Sequence, residues 1–309
     1  MKRIYNFIRK NKSAIITITI TITITILLLY IISHIYMKIR EHRVVIFDLD
    51  ETLGNFTELG AFCDVIEKHN NAYLTSAEFN TIMDLFPVFL RTDIIKILSY
   101  LKTQKQHGAL DKVYIYTNNN GPKEWAERIK TYLEREINYR LFDRIIGAYK
   151  VNGRLMEAGR TSHDKTLDDF FNITRLPRHT KVCFLDDIYH EDMDAANVLY
   201  LHVKPYHASI PFHTMAERYY DHNRTVSKKF VKLSEDKTAF IRYVVANMSK
   251  YNIRNSHKVQ NDQKDQKDQK DQTEESKKIL EHLKEFLKTK PKSRTRKSKS
   301  LKNRISRKL

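Results

Sequence analysis

The sequence predicts an α/β chain: a three-layer, doubly wound parallel sheet with little or no cap. Two observations carry this. Four short runs, RVVIFDLD from Arg43, VYIYTNNNG from Val113, VCFLDD from Val182 and VLYLHV from Val198, are rich in β-branched and aromatic residues. They lack polar alternation, as strands buried on both faces do. Stretches with helical apolar spacing separate them, and strands alternating with helices specify a parallel sheet. A chain of 309 residues, 41% hydrophobic, has material for one such body plus attachments.

The elements follow in order. Residues 1–13 are basic, and 14–36 carry no charge and alternate Ile with Thr before a Leu-rich end. That is long enough for a transmembrane helix. Its threonines can bond back to carbonyls one turn earlier, which makes them tolerable in lipid. The same alternation also fits a strand, but an unpartnered strand of this length would aggregate. The run is too long for a cleaved signal peptide, and no small-residue cleavage site follows it.

Residues 43–256 form the expected catalytic body. Its helices are read in DIIKILSYLKTQ from Asp93, EWAERIKTYLEREI from Glu124 and TLDDFFNI from Thr166. The segment from Asn55 to Pro87 is expected to form a small lid. Residues 257–275, with their repeated Asp-Gln-Lys, read as a solvated linker. An amphipathic helix over 276–289 places Ile279, Leu280, Leu283, Phe286 and Leu287 on one stripe. Residues 290–309 hold ten Lys/Arg and no acid, and are expected to be a disordered tail attracted to anionic lipid or nucleic acid.

Charge is segregated in the same way. The net +18 divides into +7 over residues 1–43, +10 over 290–309 and only +1 between them, so a basic-protein argument applies to the ends alone. Five Lys/Arg precede the expected span and three follow it, which favours an inside N-terminus. Two cysteines without a disulfide pattern, together with the basic tail, favour the body on the cytosolic side, and that reading is adopted.

Ligands of doubly wound sheets bind beyond the carboxyl ends of the strands. Three of the four runs end in polar groups: Asp48 and Asp50, then Thr117 to Gly121, then Asp186 and Asp187. Lys165 lies between the last two. Carboxylates of this kind hold Mg²⁺, a hard cation. Asp48, Asp50, Asp186 and Asp187 are the candidate ligands. Asp48 is the candidate nucleophile toward phosphorus, and Asp50 the group that protonates the leaving oxygen and later activates water. Thr117, Asn118 and Lys165 would bind the phosphoryl oxygens. YHED at Tyr189 invites a zinc reading but is better read as a polar turn.

FDLDET, YTNNNG, Lys165 and FLDD together resemble the four motifs of the haloacid dehalogenase-like phosphatase superfamily, in that order, over roughly Arg43 to His222. FLRTDIIKILSYL also resembles the protein phosphatases related to the RNA polymerase C-terminal-domain phosphatases, some of which carry an N-terminal span. That branch has Arg-Pro-Gly where this chain has Arg91-Thr92-Asp93, Thr-Ala-Ser where it has Thr117-Asn118-Asn119, and Asp-Asn where it has Asp186-Asp187. The resemblance implies a membrane-anchored, Mg²⁺-dependent phosphatase acting on a phosphorylated protein or small molecule through an aspartyl-phosphate. The departures weigh against phosphoserine protein. Two other classes stay open. One is a catalytically silent binding module, as in translocase subunits that resemble this family. The other is a phosphatase of nucleotides or nucleic-acid ends, tethered by the basic tail.

Overall fold

The computed structural model describes residues 12–39, 41–226, 236–251 and 262–288. The chain divides into two units, one ending at His42 and one beginning at Arg43. The basic residues of 1–11 and the tail over 290–309 lie outside the described residues.

Among its described residues the first unit contains one helix, α1, Lys12–Ile39. Helix rather than strand is the resolution of the Ile/Thr alternation. The Thr21, Thr23 and Thr25 hydroxyls donate to the carbonyls of Thr17, Thr19 and Thr21 at 2.8–2.9 Å, so their polar groups are satisfied within the helix. Among the described residues no helix is long and apolar enough to cross a membrane. The transmembrane segment expected over 14–36 therefore has no support at this level.

The second unit begins with β1 (Arg43–Phe47), α2 (Thr57–Asn70), α3 (Ser76–Leu85) and α4 (Ile94–Gln106). There follow β2 (Lys112–Tyr116), α5 (Lys123–Glu136), β3 (Arg144–Ile146) and the hairpin β4 (Lys150–Val151) and β5 (Arg154–Leu155). The remainder is α6 (Leu167–Thr174), β6 (Lys181–Asp186), β7 (Val198–His202), α7 (Phe212–Val226), α8 (Lys237–Met248) and α9 (Asp262–Lys288). Five strands form one parallel sheet in the order β3-β2-β1-β6-β7. The fold is α/β, as the sequence predicts.

Both faces of the sheet are buried, and alternate residues of the same strands divide between them. Val45, Phe47, Val113, Ile115, Cys183 and Leu185 join the larger core under α2 to α5 and α7 to α9. Val44, Ile46, Tyr114, Tyr116, Val182 and Phe184 pack on Phe170 and Phe171 of α6. This two-sided burial is why the strands read as continuous apolar runs.

Two expectations are corrected. The segment expected as a lid is part of the main core. Phe56, Phe62, Phe79, Ile82 and Met83 are at most 1% exposed, and Phe62 meets Phe86 and Tyr219 edge-on at 5.4 and 5.6 Å. Its two helices carry apolar residues at helical spacing, which must be covered. Thr75 and Glu78 form a reciprocal capping box at the start of α3.

The linker expected over 257–275 is helical from Asp262 onward, continuous with the amphipathic helix expected over 276–289. Its stripe does not await a partner: Ile279, Leu283 and Leu287 join the main core. Ser276 is buried and donates to the Thr92 carbonyl at 2.6 Å, and the Arg43 guanidinium caps the Leu287 carbonyl at 3.1 Å. Anchoring at both ends of the stripe gives the polar repeat ahead of it a helix to extend.

Candidate active site

Strand order reverses at β1: the chain moves to β2 and β3 on one side, then to β6 and β7 on the other. β1 is flanked in register by β2 and β6, with Phe47 opposite both Ile115 and Leu185. The polar residues that follow these three strands therefore emerge together at the topological switch point.

Asp48 follows β1, and its backbone N–H donates to the Leu185 carbonyl at 2.8 Å, tying it to β6. Lys165 is 2% exposed. Its ammonium pairs with Asp48 Oδ1 and lies 2.6 Å from Asp186 Oδ2, bridging the ends of β1 and β6. Asp187 is held by Thr52, whose hydroxyl donates to Asp187 Oδ1 at 3.0 Å. Asp48, Asp186 and Asp187 each present a carboxylate oxygen within 4.8 Å of the others.

Asp50 is separate from this trio. Its Oδ2 accepts from Asn119 Nδ2 at 2.6 Å. Asn119 is fixed in turn: its N–H donates to Thr117 Oγ1 at 3.0 Å, and its Oδ1 accepts from Gly121 N–H at 2.8 Å. A Cβ on Gly121 would lie 2.8 Å from that Oδ1, so this turn favours glycine. Thr117 is buried beside this network. Asn118 Oδ1 accepts from Arg160 at 2.9 Å.

One cation against two adjacent carboxylates leaves a negative charge over. Burial pushes the Asp48 carboxyl up to about 7; Lys165 pulls it down and Asp186 pushes it further up. Asp50 is also raised by burial, offset in part by the Asn119 hydrogen bond. Asp187 is raised by burial, with the Thr52 hydrogen bond acting against it. Burial acts to lower Lys165, but Asp48 and Asp186 outweigh it and the ammonium is retained.

The donor set fits a hard divalent cation: three carboxylates, buried or half-buried, with net negative charge. His190 adds a second observation. It is buried, its Nε2 has no hydrogen-bond partner, and that atom lies 3.6 Å from Asp186 Oδ2. The carboxylate of Asp50 is not among the three clustered oxygens. No zinc-type cluster of His190, Glu191 and Asp192 occurs among the described residues; Glu191–Met193 is a 3₁₀ turn.

The chain matches no protein-family model, no curated protein and no solved structure.

Further residues support the site: Arg91 stands in the sequence as the match to the arginine of the Arg-Pro-Gly motif, whereas Arg160 is not singled out there. Arg91 is 3% exposed and donates to the carbonyls of Thr52, Glu51 and Lys204 at 2.5, 2.6 and 2.7 Å. It clamps the loop after β1, in which Glu51 adopts a left-handed φ of 59°. Gly54 closes that loop: a Cβ there would lie 2.4 Å from the Phe89 carbonyl oxygen. Arg160 is buried and also donates to the Gly147 carbonyl at 3.0 Å. Nothing local in the sequence marks Arg160, because its partners are set by folding. Asn119 had a signal, its place in the polar run after β2.

Proposed function

We propose that this protein is a phosphomonoester hydrolase that uses Asp48 as nucleophile and Asp50 as proton donor and acceptor. The observation that carries the reading is the Lys165 bridge between Asp48 and Asp186, beside Asp187 and the Thr117–Asn119 turn. Four segments distant in sequence converge on one small volume, with carboxylates, one cation and hydrogen-bond donors. That set suits transfer of an anionic phosphoryl group.

Each residue has a role. Asp48 attacks phosphorus and forms an aspartyl-phosphate; the phosphorus–oxygen bond to the leaving group breaks, and Asp50 supplies that oxygen with a proton. Asp50 then takes a proton from the water that attacks the intermediate, releasing phosphate and restoring Asp48. Its pKa, raised by burial, and its hydrogen bond to Asn119 suit a group that alternates between the two states. Lys165 offsets charge on the nucleophile and the transferring group, and the Thr117 hydroxyl and Asn118 amide orient the phosphoryl oxygens. Asp48, Asp186 and Asp187 would hold Mg²⁺. When bound, it neutralises phosphoryl charge and favours the ionised form of Asp48.

Within this reading the protein resembles the haloacid dehalogenase-like phosphatases, anchored by α1. The direct test is hydrolysis of 4-nitrophenyl phosphate by the full chain in detergent, with and without Mg²⁺. Metal-dependent turnover that falls at least ~10³-fold in Asp48→Asn supports the reading. Equal turnover by Asp48→Asn would contradict it.

A further inference from the structure

A cleft of about 960 Å³ opens beside the site, and Asp50 and Asn119 form part of its wall. Its volume is at the upper end of the range for small-molecule pockets. It lies between α2 and the start of α5, away from the Asp48–Asp186–Asp187 trio. The group that would protonate a leaving oxygen is therefore part of the wall of this cleft.

The chemistry of that chamber is aromatic. Phe56, Tyr73, Trp125 and Tyr251 line it. Trp125 is braced by Phe79, edge-on at 5.6 Å. Gly60 makes the room for it: a Cβ there would meet the indole at 3.3 Å. The result is an indole held in place with part of its surface toward the cleft, which suits contact with another ring.

The charges of the wall disfavour a second phosphate. Asp64 is paired with Lys68 at 2.6 Å, and Arg128 with Glu67 at 3.4 Å. Arg128 also donates to the Leu74 carbonyl at 3.0 Å. Glu124 adds a further acid. Among the described lining residues no cation is left over for an anionic leaving group.

We propose that this cleft receives the leaving group of the substrate, and that the leaving group is aromatic and carries no further phosphate. The substrate class is an aryl or arylalkyl monophosphate; nucleoside polyphosphates and nucleic-acid ends are disfavoured. This rests on the phosphatase reading, because Asp50, the proton donor in that reading, lines the cleft.

The chain contains a single tryptophan, so intrinsic fluorescence reports on Trp125 directly. The full chain in detergent is titrated with benzylphosphonate and with methylphosphonate, which cannot be hydrolysed, and binding of each is also followed by calorimetry. Benzylphosphonate is expected to shift the emission saturably and to bind at least about tenfold more tightly than methylphosphonate. Gly60→Leu, which crowds Trp125, is expected to reduce that ratio toward one. Equal affinities, with no change in emission, would overturn the cleft assignment while leaving the phosphatase reading intact. If benzyl alcohol shifts the emission but neither phosphonate binds, the phosphoryl site itself fails and the proposal falls with it.

Discussion

Lys165 shows how one side chain sets the character of this site. It is fully enclosed, and two carboxylates compete for its charge. Lys165→Met removes the cation and leaves Asp48 and Asp186 facing each other without compensation. Breaking a buried ion pair from one side costs about 3–5 kcal/mol. Urea unfolding at pH 7 without added metal is expected to show a loss of that order, alongside loss of turnover. Retention of full stability would mean that the ammonium does not bridge the pair.

The cysteines give a second test. Burial pushes the thiols of Cys63 and Cys183 well above their ordinary value of 9.0. In the folded chain both are expected to resist a thiol-specific disulfide reagent at pH 8, and in urea both should react. The sign of the pH effect follows from linkage. The unfolded chain ionises its thiols near 9.0 and the folded chain does so only far above, so the folded state holds more protons in between. Stability from these groups is complete below pH 9 and is lost as pH rises beyond it. The urea midpoint should fall between pH 8.5 and about pH 10, and less steeply in Cys183→Ala.

Among the elements, α9 departs most from what the sequence suggests. Its apolar stripe is plain in the spacing of Ile279, Leu283 and Leu287. That the stripe lies against α4 depends on contacts more than 180 residues apart, such as Ser276 with Thr92, which no local pattern encodes. The same distinction explains the rest of the comparison. Strands β1, β2, β6 and β7 were legible because burial on both faces removes polar residues. β3 was not, because three residues, Arg144–Ile146, give too short a run to stand out. Asp48, Asp186 and Lys165 could be named from motif order, whereas Arg91 and Arg160 act on carbonyls brought near only by folding. Because α9 helps close the core, Leu283→Ala is expected to cost about 2–5 kcal/mol in urea unfolding. A loss below about 0.5 kcal/mol would place the helix outside the cooperative unit.

For the molecule as a whole, charge and chemistry are separate. The near-neutral body carries the carboxylates, and the basic residues sit at the two ends. Removal of residues 290–309 is therefore expected to leave hydrolysis of a small aryl phosphate within about twofold, since Debye screening confines a tail charge to ~8 Å at physiological salt. A larger loss would tie the tail to catalysis. The most direct test of the mechanism is to trap the intermediate. The full chain, with Mg²⁺ and an aryl phosphate, is quenched with borohydride, which reduces an acyl phosphate to an alcohol, and the peptide containing Asp48 is analysed by mass spectrometry. The mechanism predicts homoserine at position 48, dependent on substrate and absent in Asp48→Asn. Turnover with Asp48 unmodified, or with homoserine at position 50 instead, would contradict it.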